Sequence, residues 1–204
     1  AILLIDRIGR KPLLIAGLAG VVISMGVTGY GFQQADFTLT QSALAQLPEA
    51  VDTAALIPIL DQTFASDVDY RRALDTQLGV DAALQYRPEL TNLAININAP
   101  LVLAGLLGFV ASFAFSLGPV MRVLLSEIFP NRIRGLAMSA ITFVNAGVSA
   151  AVQILFPVQL AQLGAGPTFF IFGAFGFVFL FLVIRFVPET KGLSLEELEA
   201  RISR

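Results

Sequence analysis

Cysteine and histidine are both absent from the 204 residues. Without cysteine there are no disulfides and no thiolate nucleophile, and the redox compartment cannot be read. Without histidine the usual metal ligand, proton shuttle and triad base are gone. No metal site, no catalytic residue and no cofactor is therefore expected. Tryptophan is missing too, and charge is scarce: 14% of residues, against 56% hydrophobic. A water-soluble domain carries about 25% charged residues, so this chain lacks the polar surface to live in water. The net charge of -2 and the want of a basic stripe leave nothing for nucleic acid.

What is present in excess is long apolar sequence, with a mean hydropathy of +0.78. Crossing a hydrocarbon core of ~30 Å takes roughly 20 residues of helix. Four stretches reach that length: 13–32, 99–125, 136–160 and 168–187. The fold class that follows is an all-α, multi-pass membrane protein. The opening residues Ala1–Ile5 are expected to be the last turn of a span that starts upstream, which makes the chain part of something longer.

Between these spans the sequence divides cleanly. Residues 1–12 hold a cationic turn, with Arg7, Arg10 and Lys11 around Gly9. The span over 13–32 contains Gly17, Gly20, Gly26, Gly29 and Gly31, a spacing that lets helices approach closely. Residues 33–98 change character, with nine acids against the three bases Arg71, Arg72 and Arg87. Hydrophobic spacing predicts short helices over Gln41–Leu47, from an N-cap at Ser66 to a stop at Gly79, and around Val80–Asn96, where Pro88 should begin or bend a helix. This segment reads either as a folded polar cap or as a lid that captures ligand.

Residues 99–135 carry the oddest features. An apolar run breaks at Gly118-Pro119, bears Arg122 inside it, and leaves through Ser126-Glu127 into a loop with Arg132 and Arg134. Residues 136–187 hold the last two spans. In the first of these Ser139, Thr142, Asn145, Ser149 and Gln153 recur at spacings of three and four, which places all five on one helical face. Such a stripe lines a water-filled cavity or binds neighbouring helices together by hydrogen bonds. The span over 168–187 is nearly all apolar and reads as lipid-facing or supporting. Residues 188–204 leave the membrane as a tail, in which Ser194 can cap a helix beginning with Glu196 and Glu197. Cations in the short loops and at the tail fall on one side for four spans, which should be the cytoplasm. The acidic 33–98 segment then lies outside.

Three of these stretches together resemble the sugar porters of the major facilitator superfamily. Asp6-Arg7-Ile8-Gly9-Arg10-Lys11 resembles the turn between that family's eighth and ninth spans. Gly118-Pro119 through Glu127, with Arg134-Gly135, resembles its tenth span and cytoplasmic exit, and Pro188-Glu189-Thr190-Lys191-Gly192 the signature after its twelfth. The resemblance covers all but the 33–98 segment, which is longer than the family's usual loop. It looks closest to bacterial proton-coupled sugar or inositol porters. It implies the end of span eight plus spans nine to twelve, part of a C-terminal helix bundle with an extracytoplasmic helical insertion. The implied function is secondary active transport of a monosaccharide or polyol by alternating access, with protons as co-substrate and with a missing N-terminal bundle of the same protein as partner. The implied location is the cell's inner membrane, both ends of this chain cytoplasmic. A membrane sugar sensor without transport, or an inactive fragment, are the alternatives.

The resemblance also assigns roles. Asn145 and Phe113 carry sugar binding, with Ser149 beside Asn145 on the stripe, and Gly118-Pro119 supplies the break that gates the cavity. Arg10, Glu127, Arg134 and Glu189 form a charge latch at the cytoplasmic helix ends; read from the residues alone they could equally be solvated end charges, worth ~0–1 kcal/mol each. Two positions depart from the family, Arg122 and Ala146, each where tryptophan is usual. A cation at a helix centre costs about 2.5–3.5 kcal/mol on insertion scales. Arg122 is five residues from Glu127, ~7–8 Å along a helix axis, and can partly snorkel to that end. Three readings of Arg122 stay open: an error or damaging change, a structural arginine paired with Glu127 or with the other bundle, or a mark of an anionic substrate. No acid lies inside the four spans, so proton coupling rests on the resemblance.

Overall fold

The computed structural model describes residues 8–48, 51–118, 120–121, 129, 133–187 and 189. Four of its helices are long and apolar enough to cross a membrane: Arg10–Gln33 (α1), Ala99–Leu117, Arg134–Leu163 and Ala165–Phe186. They match the four expected spans, and the first, third and fourth begin two or three residues earlier than hydropathy alone placed them. The reason is visible at the fourth span, where Gly164 alone, at φ +84°, makes the turn. A single residue therefore joins the third and fourth spans. Pro167 sits in the first helical turn, where its missing N–H costs no hydrogen bond. The second span is expected to run to Leu125, and residues 122–128 lie outside those described.

Two compact units divide the chain, residues 1–26 with 104–157 and 170–204, and residues 27–103 with 158–169. In the first, α1 lies against two other helices. On one side Gly17 and Gly20 meet Ser116 and Ser112, and Ser24 meets Gly108. A Cβ built at Gly17 or Gly20 would overlap those serines, and Ser116 Oγ donates to the Leu13 carbonyl. On the other side Gly173 and Gly176 of α8 (Ala165–Phe186) accept Met25 and Val22. Gly26 departs from the expected pattern: a side chain there would meet open space. Gly17, Gly20 and Gly31 meet side chains of the second span, and Gly26 does not. α7, Arg134–Leu163, buries none of its apolar window.

The second span changes its winding partway. α6, Ala99–Ser112, runs into a π turn over Phe113–Leu117. There the Gly118 N–H reaches back five residues to the Phe113 carbonyl. Pro119 has no N–H, so the α register would leave the Phe115 carbonyl unanswered. In the π register the missing donor falls opposite the Ala114 carbonyl instead, so the proline interrupts the ladder in either register.

In the second unit the acidic segment folds around its own core. Short helices α2 (Gln41–Leu44) and α3 (Thr53–Leu56) lead to α4 (Asp67–Leu78) and α5 (Val80–Ala94). Ser66 caps α4 by accepting from Val68 N at 3.2 Å, and Gly79 at φ +78° separates α4 from α5, as the sequence predicts. α2 stops three residues short of its expected end at Leu47. α5 starts at Val80, so Pro88 does not begin it. Pro88 sits on the exposed face, where water can answer the carbonyl that its ring leaves without a donor. The expected end of α5 at Asn96 is also corrected, because Ile95–Asn96 leaves the helix as a strand.

That strand, β3, belongs to a three-stranded antiparallel sheet that the sequence does not announce. The order is β2-β1-β3, with β1 (Asp36–Thr38) pairing Phe37 with Phe64 of β2 (Thr63–Phe64) and with Ile95 of β3 (Ile95–Asn96). Its central Phe37 stacks on Tyr70 at 5.5 Å, and Leu39, Leu56, Leu74, Ala83 and Leu90 complete a dry core. The fully buried Tyr70 hydroxyl donates to the Leu90 carbonyl at 3.1 Å, which ties α4 to α5. Burial pushes that hydroxyl up from 10.0 to about 12. Arg87 closes the helix pair with a 2.7 Å contact to Asp75.

Candidate functional site

A transport site needs hydrogen-bonding groups that are not already used, an element that can move, and something that holds helix ends while it does. The polar stripe is the first of these. Ser139, Thr142, Asn145, Ser149 and Gln153 all lie on the unbroken helix α7, and all are exposed. They differ in what they have left to offer. Thr142 Oγ1 donates to the Met138 carbonyl at 2.8 Å, so its proton is committed inside its own helix. Gln153 reaches Ser149 Oγ at a long 3.5 Å. The Asn145 side chain makes no hydrogen bond among the described residues. Its amide can both donate and accept, which suits it to a hydroxyl-rich ligand.

Phe113 and Gly118 stand at the two ends of the π turn, joined by the Gly118 N–H. Phe113 is 51% exposed, and its ring packs on Phe109 at 6.4 Å. A π turn has looser hydrogen bonding than an α turn and marks functional sites in many helices. Pro119, Arg122 and Glu127 lie outside the described residues.

The helix ends show how charge is used. Glu189 follows α8, and its carboxylate accepts the Arg10 N–H at 3.0 Å and the Lys11 N–H at 3.2 Å. These N–H groups open α1, where no preceding helical carbonyl can accept them, so the anion both satisfies them and complements the helix dipole. Lys11 returns the gesture, since its Nζ donates to the Ile184 carbonyl at 2.9 Å, at the negative end of α8. Gly9 makes the approach feasible. It sits at φ +104°, and a Cβ there would lie 2.7 Å from Glu189 Oε2. Of the four expected latch residues, Arg10 and Glu189 come together. Arg134 turns its Nε to the Phe129 carbonyl at 3.2 Å. Sequence reasoning missed Gly9 and Lys11 as parts of this junction. Lys11 sits in the turn as one more cation, and only the closeness of α8 gives it a carbonyl to meet.

Comparison with known proteins adds to this geometry. Residues 87–201 match the family model described as "Sugar (and other) transporter". Over 202 residues the chain is 30% identical to the D-xylose-proton symporter-like 1 of Arabidopsis thaliana, covering 98% of this chain and 28% of that protein. It is 48% identical over 91 residues to the major myo-inositol transporter IolT of Bacillus subtilis (strain 168), covering 45% of this chain and 19% of that one. Among solved structures, the E. coli xylose transporter XylE in an inward-open conformation aligns with a TM-score of 0.61 at 30% identity. The alignment covers 98% of this chain and 31% of XylE. The major facilitator superfamily proton:xylose symporter XylE bound to 6-bromo-6-deoxy-D-glucose aligns with a TM-score of 0.58, at 30% identity over 98% of this chain and 30% of that one. The chain spans less than a third of the length of these relatives.

Proposed function

Because the chain belongs to the sugar porters of the major facilitator superfamily, a family of multi-pass membrane transporters rather than enzymes, we propose that it forms part of a secondary active transporter for a monosaccharide or polyol. Transport runs by alternating access, with two helix bundles rocking about a site near the membrane midplane. A second bundle of the same protein, which this chain does not contain, supplies the other wall.

The observation that carries this reading is Asn145, an exposed amide with no hydrogen-bond partner among the described residues, on a span of this family. Asn145 and Ser149 hydrogen-bond the ligand's hydroxyls, and Phe113 presents a ring to its C–H face. The π turn and Gly118-Pro119 form the bend that opens and closes the cavity. Glu189 with α1, and Glu127 with Arg134, latch the helix ends on the cytoplasmic side. The latched side is assigned by the cations Arg7, Arg10, Lys11, Arg132 and Arg134 in the short loops, and the membrane is the cell's inner membrane. Protons are the coupling ion. That assignment is supported by the relatives named as proton symporters, and the coupling carboxylate belongs to the other bundle.

Uptake of labelled D-xylose and myo-inositol by the intact transporter, with and without a proton uncoupler, tests the proposal. Uptake of at least one, reduced severalfold by the uncoupler and at least tenfold by Asn145→Ala, is expected. No uptake of either, or uptake indifferent to Asn145→Ala, overturns it. The same assay with Arg122→Trp sorts the readings of that position: a gain for neutral sugars marks a damaging change, a loss confined to sugar acids marks an anionic substrate, and a loss of stable protein marks a structural arginine.

A further inference from the structure

The second compact unit contains a cleft of about 220 Å³ that the transport site does not use. Its walls come from the end of α1 (Phe32, Gln33), the sheet (Phe37, Ile95), the loop into α4 (Ala65, Ser66), one face of α4 and α5 (Asp67, Arg71, Thr91), and the start of α8. The volume falls below the ~300–1,000 Å³ of sites for drug-sized ligands, and leaves room for one small ring.

The charges in the cleft are already compensated. Asp67 and Arg71 pair at 2.8 Å, one turn apart on α4. They also straddle the turn between α7 and α8. Arg71 extends towards the Leu160 carbonyl at 3.5 Å, near the negative end of α7. Asp67 Oδ1 lies against Gly164, where a Cβ would come within 2.5 Å, beside the positive end of α8. The pair therefore offers no net charge to a ligand, and an ionic headgroup or acid gains nothing from it.

What the cleft does offer is hydrogen bonding. The Gln33 amide and the Thr91 hydroxyl make no side-chain hydrogen bonds among the described residues. Ser66 Oγ accepts from Val68 N and keeps its own proton free to donate. Asp67 retains acceptor positions beyond its contact with Arg71. Beside these groups stand the ring of Phe32, stacked on Phe169 at 5.4 Å and 3°, and that of Phe37. Free donors and acceptors beside apolar ring surface suit a ligand with hydroxyls around its edge and C–H bonds on its face.

We infer that this cleft is a peripheral binding subsite for a neutral, polyhydroxylated small molecule, a monosaccharide or polyol. It shares no residue with the transport site on α7. The ligand class rests on the transport reading above, while the hydrogen-bonding argument stands on the cleft alone. Lying where a span begins and another ends, the subsite would raise the local concentration of solute beside the transporter.

Saturation-transfer NMR on the purified intact transporter tests this, with D-xylose and myo-inositol as probes and Asn145→Ala as background so that the proposed central site is weakened. The probe signal is expected to survive in that background and to fall at least threefold with Gln33→Leu and Thr91→Val together, which remove two of the cleft's free hydrogen-bonding groups at nearly constant volume. Ala65→Trp, which narrows the cleft from an exposed position, should have the same effect. A signal unchanged by both variants, or lost with Asn145→Ala alone, overturns the subsite. The two readings fail separately. Wild-type uptake with an unaltered NMR signal in the cleft variants sinks only the subsite. A cleft-dependent signal without wild-type uptake sinks only the transport reading.

Discussion

Two residues show how a side chain can be used in a way that its neighbours in sequence do not reveal. Glu189 lies 179 residues from Arg10, yet its carboxylate answers the first N–H groups of α1. Gly9 is required there twice over, by a backbone angle that L side chains avoid and by the space that the carboxylate fills. Tyr70 is the second case. Its hydroxyl keeps its proton to about pH 12 in the folded state, whereas an unfolded tyrosine loses it near 10. Its pKa is raised on folding, so the contribution is fully present below pH 10 and is lost as pH rises through 12. Each tenfold difference in proton affinity between the folded and unfolded chain is worth roughly 1.4 kcal/mol, so the loss reaches about 2–3 kcal/mol. Thermal unfolding of the intact protein at pH 9 and pH 11.5 should show a drop that Tyr70→Phe makes smaller. Equal drops in the two proteins would mean that Tyr70 carries none of the alkaline instability.

At the scale of elements, the seam between α1 and the second span is built from matched small residues. Gly17 faces Ser116, Gly20 faces Ser112, and Ser24 faces Gly108. In lipid there is little hydrophobic gain from bringing helices together, so close backbone approach and van der Waals contact carry the association. Gly17→Val should therefore cost about 1–3 kcal/mol through overpacking, seen as a fall of several degrees in the melting temperature of the intact protein. Gly26→Ala is the internal control, because a methyl there meets nothing within 4 Å and alanine is the better helix former. If both variants melt alike, the seam does not hold these helices. The π turn carries Ser116, so the contact with Gly17 lies within it and a change of register there would disturb that end of the seam.

On the scale of the whole molecule, the proposed latch makes a claim about conformational balance. Removing the charge of Glu189 takes away a carboxylate–dipole interaction of ~0.3–1 kcal/mol, enough to shift a two-state balance about two- to fivefold. Glu189→Gln and Glu127→Gln in the intact transporter should each move the population towards the inward-facing state, read as spin-label distances across the cytoplasmic side. Distances unchanged in both variants would leave the helix-end charges as solvated groups. Gly9→Ala should move the same distances, since it displaces the same carboxylate without altering charge.

The sequence determined on its own whatever depends on a single segment. Membrane spans follow from length and apolarity, because a lone stretch must satisfy its backbone as helix wherever it sits in lipid. The limits of α4 follow from Ser66 and Gly79, because capping and a left-handed turn are local. The stripe from Ser139 to Gln153 follows from helical periodicity alone. The tertiary structure decided the rest, and in each case the reason is a partner far away in the chain. Strands of two or three residues are too short to show alternation, and β1 exists because Ile95 and Phe64 come to flank Phe37. Glu189 and Lys11 became partners because α1 packs alongside α8 in the opposite direction, which sets the start of one beside the end of the other. The cleft beside Gln33 and Thr91 formed where segments over a hundred residues apart converge, which no local pattern encodes.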